Sequence, residues 1–318
     1  MSQSAVMDAV DSTEVVKVDP VAPPPMTRGE KWKRRGPLLP ALVFTLLLTQ
    51  IPFLLTLIFS FQRWRLLDGG EATFNGGKNY VDVVQDPVFW RSVANTVVMT
   101  GGSTLACIIV GLIMAIFLNH AFPGRGIART LAITPFFVMP VAATLFWKSA
   151  MFDPTFGFFG FVSRSLGLPA IAWLSEFPMA ALVILLTWRF VPFAMLILIA
   201  GLQSAPQDQL EAAQMDGAGV AGRFRHVTLP HLRPFLELAA LLLAMNLIQT
   251  FGEIALLTAG GPAYATTNIT YYIFLTAFNA FDFGQASALG IVALVLTIAL
   301  ILPMLRLLSG IFQTEGRR

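Results

Sequence analysis

Gln203 to Pro234 reads QSAPQDQLEAAQMDGAGVAGRFRHVTLPHLRP, a polar island between two long apolar runs. Its local chemistry predicts a helix, a sharp turn and a second short helix. Ser204 and Gln207 have the spacing of a capping box, and Pro206 suits a first helical turn. Gly217 can adopt the left-handed backbone that ends a helix, and Gly217-Ala218-Gly219 then leads into the basic residues Arg223, Arg225 and His226. A short polar lever between two greasy rods makes sense only if the rods cross a bilayer, so the flanks decide the fold.

The whole composition supports that reading. Of 318 residues, 56% are hydrophobic and 12% are charged, against roughly 25% charged in soluble chains. The net charge of +3 invites a polyanion partner, but the positive residues are sorted by side of the membrane, so no nucleic acid is expected. The single cysteine, Cys107, lies in an apolar run and reads as a small buried hydrophobe. His120, His226 and His231 are dispersed, and no metal site is expected.

Working outward, residues 1–35 read as a disordered, basic-ended cytoplasmic tail, with Pro20-Val21-Ala22-Pro23-Pro24-Pro25 favouring extended backbone. A cleaved signal peptide is disfavoured, because the first apolar run starts near Pro37 and is too long for a signal core. Uncharged or nearly uncharged runs of about 20 residues or more predict six spans within a transmembrane domain at 36–310, followed by a short cytoplasmic tail at 311–318. The spans are expected at 36–62, 92–119, 127–147, 177–203, 235–257 and 283–305, the third broken by Pro135 and Pro140, with the polar loop 203–234 between spans four and five. Arg28, Lys31, Lys33, Arg34 and Arg35 before span one hold that end in the cytoplasm. Both termini, the loop at Arg125 and Arg129 and the 203–234 loop then fall inside, with fourteen of the 21 lysines and arginines. Residues 148–176 fall outside, and 156–174 reads as an interfacial helix. The uncharged stretch 268–281 is too short for a seventh crossing and is placed outside, re-entrant or interfacial.

The island also carries a pattern: Glu211-Ala212-Ala213, three residues, Gly217, nine residues, Val227, any residue, Leu229-Pro230. It resembles the EAA coupling loop of permease subunits of binding-protein-dependent ATP-binding cassette (ABC) importers. The resemblance runs over roughly residues 37–310. Leu38-Leu39-Pro40, Asp86-Pro87-Val88-Phe89-Trp90 with Asn95-Thr96, Pro192-Phe193, Ala200-Gly201-Leu202-Gln203 and Thr258 with Gly260-Gly261-Pro262 are similar to the sugar and polyol subgroup, the maltose-type permeases. Gly252 departs from it, since relatives often carry Asp or Asn there.

The resemblance implies an all-α integral membrane protein with the type I ABC importer permease fold, multi-pass in a bacterial cytoplasmic (inner) membrane. It implies a heterodimer with a second permease subunit, a cytoplasmic ATP-binding cassette ATPase dimer and an extracytoplasmic solute-binding protein, with lipid around the spans. ATP and Mg2+ would sit on the ATPase, and no cofactor on this chain. Glu211, Ala212, Ala213, Asp216, Gly217, Leu229 and Pro230 are the expected ATPase-coupling residues, and Gly260, Gly261 and Pro262 a structural turn. Residues 63–90 and 258–282 are the outer segments expected to dock the binding protein.

Within the spans, Asn246, Gln249, Thr250 and Glu253 recur at helical spacing and would share one face. Polar groups at that depth face a cavity or a partner, so this face is expected to line the substrate path; hydrogen bonding between helices is the competing role. Arg189 lies midway along span four and pairs with a carboxylate or meets a ligand. Trp147 and Trp188 could stack on a sugar ring or simply pack. No phosphate-binding loop is present, because Gly77-Lys78 is followed by Asn79 and Ala72 stands where the first glycine belongs. The chain is therefore expected not to be an enzyme but the channel subunit of an ATP-driven importer for a sugar, polyol or related polyhydroxylated solute. The rival functions are an ion-coupled secondary transporter, which would show inverted repeats and intramembrane carboxylates, and an ABC permease for a non-sugar solute.

Overall fold

The computed structural model describes residues 38–315; the expected tail 1–35 and Arg317 and Arg318 lie outside the described residues. The chain divides into two units, residues 1–54 and 55–318, and the first helix, α1 (Leu38–Ser60), runs across that boundary. From Leu39 to Leu54 it is exposed and almost uniformly apolar, the character of a helix solvated by hydrocarbon.

The second unit is helical apart from one short hairpin. Its elements are β1 (Gln62–Arg63), β2 (Thr73–Phe74), α2 (Lys78–Gln85), α3 (Pro87–Asn119), α4 (Arg125–Phe137), α5 (Pro140–Phe146), α6 (Phe158–Ser165), α7 (Trp173–Glu176) and α8 (Pro178–Gln203). There follow α9 (Gln207–Met215), α10 (Val220–Arg223), α11 (Leu229–Leu247), α12 (Gly252–Leu257), α13 (Ile269–Phe274) and α14 (Phe283–Glu315). The antiparallel pair β1–β2 is a small departure from the expected all-α fold. The last helix is unbroken to Glu315, so no change of structure marks the tail boundary expected at 310.

Among the described residues, four helices are long and apolar enough to cross a bilayer: Leu39–Ser60, Pro87–Asn119, Pro178–Gln203 and Val220–Leu247. A fifth crossing is supplied if Arg125–Phe137 and Pro140–Met151, bent by 97° about Val138-Met139, count as one span. The bend falls at the second of the two expected breaks, because Pro140 has no amide hydrogen and excludes helical backbone from the residue before it.

The centre of the fold is the pairing of α3 with α8. Gly102 lies opposite Val183, Cys107 Sγ is 3.8 Å from the Thr187 carbonyl, and Gly111 sits against Ala194, so both helices run in the same direction. Gly111 is obligatory there, since a Cβ would lie 2.9 Å from the Ala194 Cβ. Two apolar cores flank the pair. The larger gathers Met99, Leu182, Leu186, Leu243, Ile254 and Trp147 toward the end where α8 begins. The smaller joins Ala115, Leu118, Met195 and Leu198 toward the other end.

Three expectations about local structure need correcting. Span five is not a continuous rod from Phe235 to Leu257: α11 stops at Leu247, and Ile248 to Phe251 are non-helical before α12 begins. Residues 156–174 form two short helices around a turn at Gly167 rather than one. Pro135 does not break span three, since α4 runs through it to Phe137. In the outer stretch around α13, Thr266, Thr267, Asn268, Ile269, Tyr271, Thr276 and Ala277 are buried. In that helix Tyr272 donates to the Asp86 carboxylate, and burial first, then that carboxylate, pushes its pKa up.

Candidate functional site: the coupling loop and the interrupted fifth span

The polar island folds as one connected piece. Helix α9 ends at Met215 with Asp216 as its cap residue, and Gly217 follows at φ +81°. The Ala218 amide donates to the Ala213 carbonyl at 3.0 Å and the Gly217 amide to Gln214 at 3.1 Å, the paired bonds of a Schellman termination. Arg223 Nη1 donates to Gln214 Oε1 at 2.8 Å and staples α10 back onto α9. Helix α10 then passes through a π turn, Phe224–Thr228, directly into α11, so the second short helix is the start of span five. Leu229 and Pro230 lie within that continuous rod, where Pro230 lacks the amide that would bond one turn back, a loss that falls directly after the π turn.

The predicted capping box does not form. Ser204 is the C-cap of α8, its hydroxyl bonded to the Gly201 carbonyl at 2.9 Å and 3.1 Å from His231 Nε2, and Pro206 occupies the N-cap of α9 with extended backbone. The outcome ties the start of the loop to the start of α11, because His231 is two residues past Leu229. Ala212 is exposed, as are Met215 at 87% and Val220 at 77%, so apolar groups stand out from a polar loop. Behind them is a cavity of about 420 Å3 lined by Glu211, Gln214, Arg223, Asn119, His120 and Leu202. Glu211 thus stands where the loop meets the ends of α3 and α8.

The interrupted span five carries the second group of predicted residues. Asn246 and Gln249 are exposed and donate to the carbonyls one turn back, Leu242 at 2.8 Å and Met245 at 3.0 Å. Thr250 and Glu253 are buried. The four do not share one face, because the helix stops between them. Glu253, buried in the first turn of α12, forms a part-buried ion pair with Arg189 of α8, and the Arg189 guanidinium also lies 5.1 Å from the Phe190 ring centre. Trp188 and Trp147 sit 5.6 Å apart, Trp147 packing further onto Phe152 and Phe159, which is the arrangement of a core. A side chain at Gly252 would meet nothing within 4 Å.

Gly260, Gly261 and Pro262 make the expected turn, with φ of +89° and +72° at the glycines. The strain spreads beyond them to Ala259, Ala263 and Tyr264, all with positive φ. What holds these residues was not legible as a site in the sequence. Asn95 Nδ2 donates to the carbonyls of Tyr264 at 2.8 Å and Thr267 at 2.9 Å. Thr258 bonds Thr266 at 2.7 Å, and Thr96 Oγ1 accepts the Ile269 amide at 3.0 Å. Asn268 accepts the Tyr271 amide and donates to the Thr250 carbonyl. Asn95-Thr96 marks a likeness in the sequence, but its partner lies some 170 residues away and no spacing rule connects them.

Comparison with known proteins agrees with this geometry. Residues 107–313, more than half of the chain, match the family described as binding-protein-dependent transport system inner membrane component. The trehalose/maltose transport system permease protein of Thermococcus litoralis is 36% identical over 74% of this chain and 80% of its own length. The sulfoquinovosyl glycerol transport system permease protein of Agrobacterium fabrum is 30% identical over 92% of this chain and 97% of its own. Among solved structures, a chain of a bacterial ABC transporter that imports the acidic polysaccharide alginate superposes with a TM-score of 0.76 at 21% identity, covering 89% of this chain and 98% of that one, which shows the type I importer permease fold. The chain therefore belongs to the inner-membrane permease family of binding-protein-dependent ABC importers.

Proposed function

We propose that the chain is the channel subunit of an ATP-driven importer for a sugar, polyol or related polyhydroxylated solute, crossing the membrane six times with both termini in the cytoplasm. The observation that carries the proposal is the rigid coupling loop, closed by the Schellman pair and continuous with α11, between α8 and the antiparallel α11 against which Gly201 packs. The topology is supported by α3 and α8 running in the same direction, because two parallel spans need an odd number of crossings between them. The bent pair α4 and α5 supplies one. The similarity to permeases named for trehalose/maltose and sulfoquinovosyl glycerol supports the solute class.

In this reading the exposed Met215 and Val220 dock on an ATP-binding cassette ATPase, on which ATP and Mg2+ bind, and a second permease completes the channel. A solute-binding protein docks outside. The outer segments 63–90 and 258–282 suit that role, because Arg65 pairs with Asp282 at 3.2 Å and the Leu66 amide donates to the Phe281 carbonyl at 3.0 Å, joining both into one surface. The face of Asn246 and Gln249 lines the path, since amides exposed at this depth are costly against lipid.

Reconstitution into proteoliposomes with the ATPase, a second permease and the binding protein tests the reading. Uptake of a polyhydroxylated solute should require ATP inside and survive collapse of ion gradients. Uptake that proceeds without ATP and stops when the gradient is collapsed would instead identify an ion-coupled transporter.

A further inference from the structure

A helix that stops inside a membrane leaves carbonyl groups without partners, and each must be satisfied by protein groups or by water in a cavity. Between α11 and α12 this is done from outside the helix. Asn268, completely buried, donates from Nδ2 to the Thr250 carbonyl at 2.6 Å, and the Thr270 hydroxyl approaches the Ile248 carbonyl at 3.4 Å. The other side of Asn268 is fixed as well: its Oδ1 caps α13 by accepting the Tyr271 amide at 2.8 Å, and Thr96 of α3 takes the neighbouring Ile269 amide. Beside the break is a cavity of about 260 Å3, with Ile248 and Gln249 on one wall and Thr96, Ile269 and Thr270 on the other.

From these contacts we infer that Asn268 is a positioning residue of the transport path: it holds span five interrupted at Ile248–Phe251, and thereby keeps open the cavity through which Gln249 meets the aqueous path. This rests on the reading of Gln249 as path-lining. Without the Asn268 donor the Thr250 carbonyl has one remedy in a low-dielectric interior, an amide further along its own chain. Taking it rewinds the break toward continuous helix and releases the Thr96, Ile269 and Thr270 wall from Ile248 and Thr250, so that the cavity in which Gln249 stands is lost. The residue acts through the backbone of its neighbour and need not touch solute.

Cys107 is the only cysteine and is fully buried, so a cysteine introduced at Gln249 can be followed in the assembled complex by its labelling rate with a small, charged thiol reagent, with the otherwise unaltered complex as background. Asn268→Asp separates the two roles, because a carboxylate still caps α13 but cannot donate to Thr250. In Gln249→Cys, labelling should be readily measured, and adding Asn268→Asp should slow it at least fivefold, while a cysteine at the exposed outer position Ser165 is labelled equally in both backgrounds. If Asn268→Asp fails to accumulate, Asn268→Ser carries the same expectation, since a serine caps a helix but is too short to reach Thr250. An unchanged rate at position 249 in the accumulating variant overturns the positioning role while leaving the path intact. No labelling of Gln249→Cys even with Asn268 present removes the path reading itself, and the inference with it.

Discussion

At the scale of single residues, Arg189 and Glu253 show how a membrane protein carries charge through its core. Neither side chain is more than 17% exposed, and each is tolerable there because of the other. Removing one partner leaves an uncompensated charge in a poorly solvated site, which costs up to about 3–5 kcal/mol, whereas removing both removes the problem. Arg189→Gln or Glu253→Gln alone should therefore lower the thermal midpoint of the purified complex by several degrees, and the double substitution should recover most of the loss. A double variant no more stable than the worse single one would show that the two residues contribute separately. Asparagine plays a different part: Asn95, Asn79 and Asn268 each use the side-chain amide to satisfy backbone that has left regular structure. Asn79, for example, donates to the Ser60 and Gln62 carbonyls, both at 2.9 Å, where α1 gives way to β1.

At the scale of elements, the notable feature is that α10 and α11 are one piece. Motion applied at Val220 reaches Leu247 along one helical rod, whose hydrogen-bond ladder carries a π turn at Phe224–Thr228 and lacks the amides of Pro230 and Pro234. Inserting two glycines between Thr228 and Leu229 should leave the permease in the membrane but lower solute-stimulated ATP hydrolysis at least tenfold. Full stimulation in that insertion variant would show that the loop signals by another route. The long apolar runs, the bend at Pro140 and the Gly217 turn were legible in the sequence because they are local facts. The break in span five was not, because nothing between Ile248 and Phe251 forbids a helix. It exists because Asn268 and Thr270 supply bonds from a segment about 20 residues away. For the same reason Asn246 to Glu253, spaced correctly for one face, end on two. The loop residues Glu211 to Pro230 were legible as a unit, yet Ser204 capped the wrong helix, since the bond to His231 depends on α8 and α11 meeting.

At the scale of the whole molecule, the proposed function makes the coupling loop and the path two ends of one rod. In that proposal energy enters where Met215 and Val220 stand exposed, and the rod delivers it to the break beside Asn268 and, across α8, to the Arg189–Glu253 pair. The chain need contribute no chemistry of its own, only stiffness at the loop and an interruption in the right place. Stiffness at the loop depends on Gly217, whose left-handed backbone costs a side-chain-bearing residue roughly 1–2 kcal/mol. Gly219, two residues on, has φ of −65° and open space around it, and makes an internal control. The direct measurement is solute-stimulated ATP hydrolysis by the reconstituted complex carrying Gly217→Val or Gly219→Val, normalised to the permease in the membrane. Stimulation should fall at least tenfold for Gly217→Val and stay within twofold of the unaltered complex for Gly219→Val; equal, full stimulation in both would contradict the rigid coupling loop.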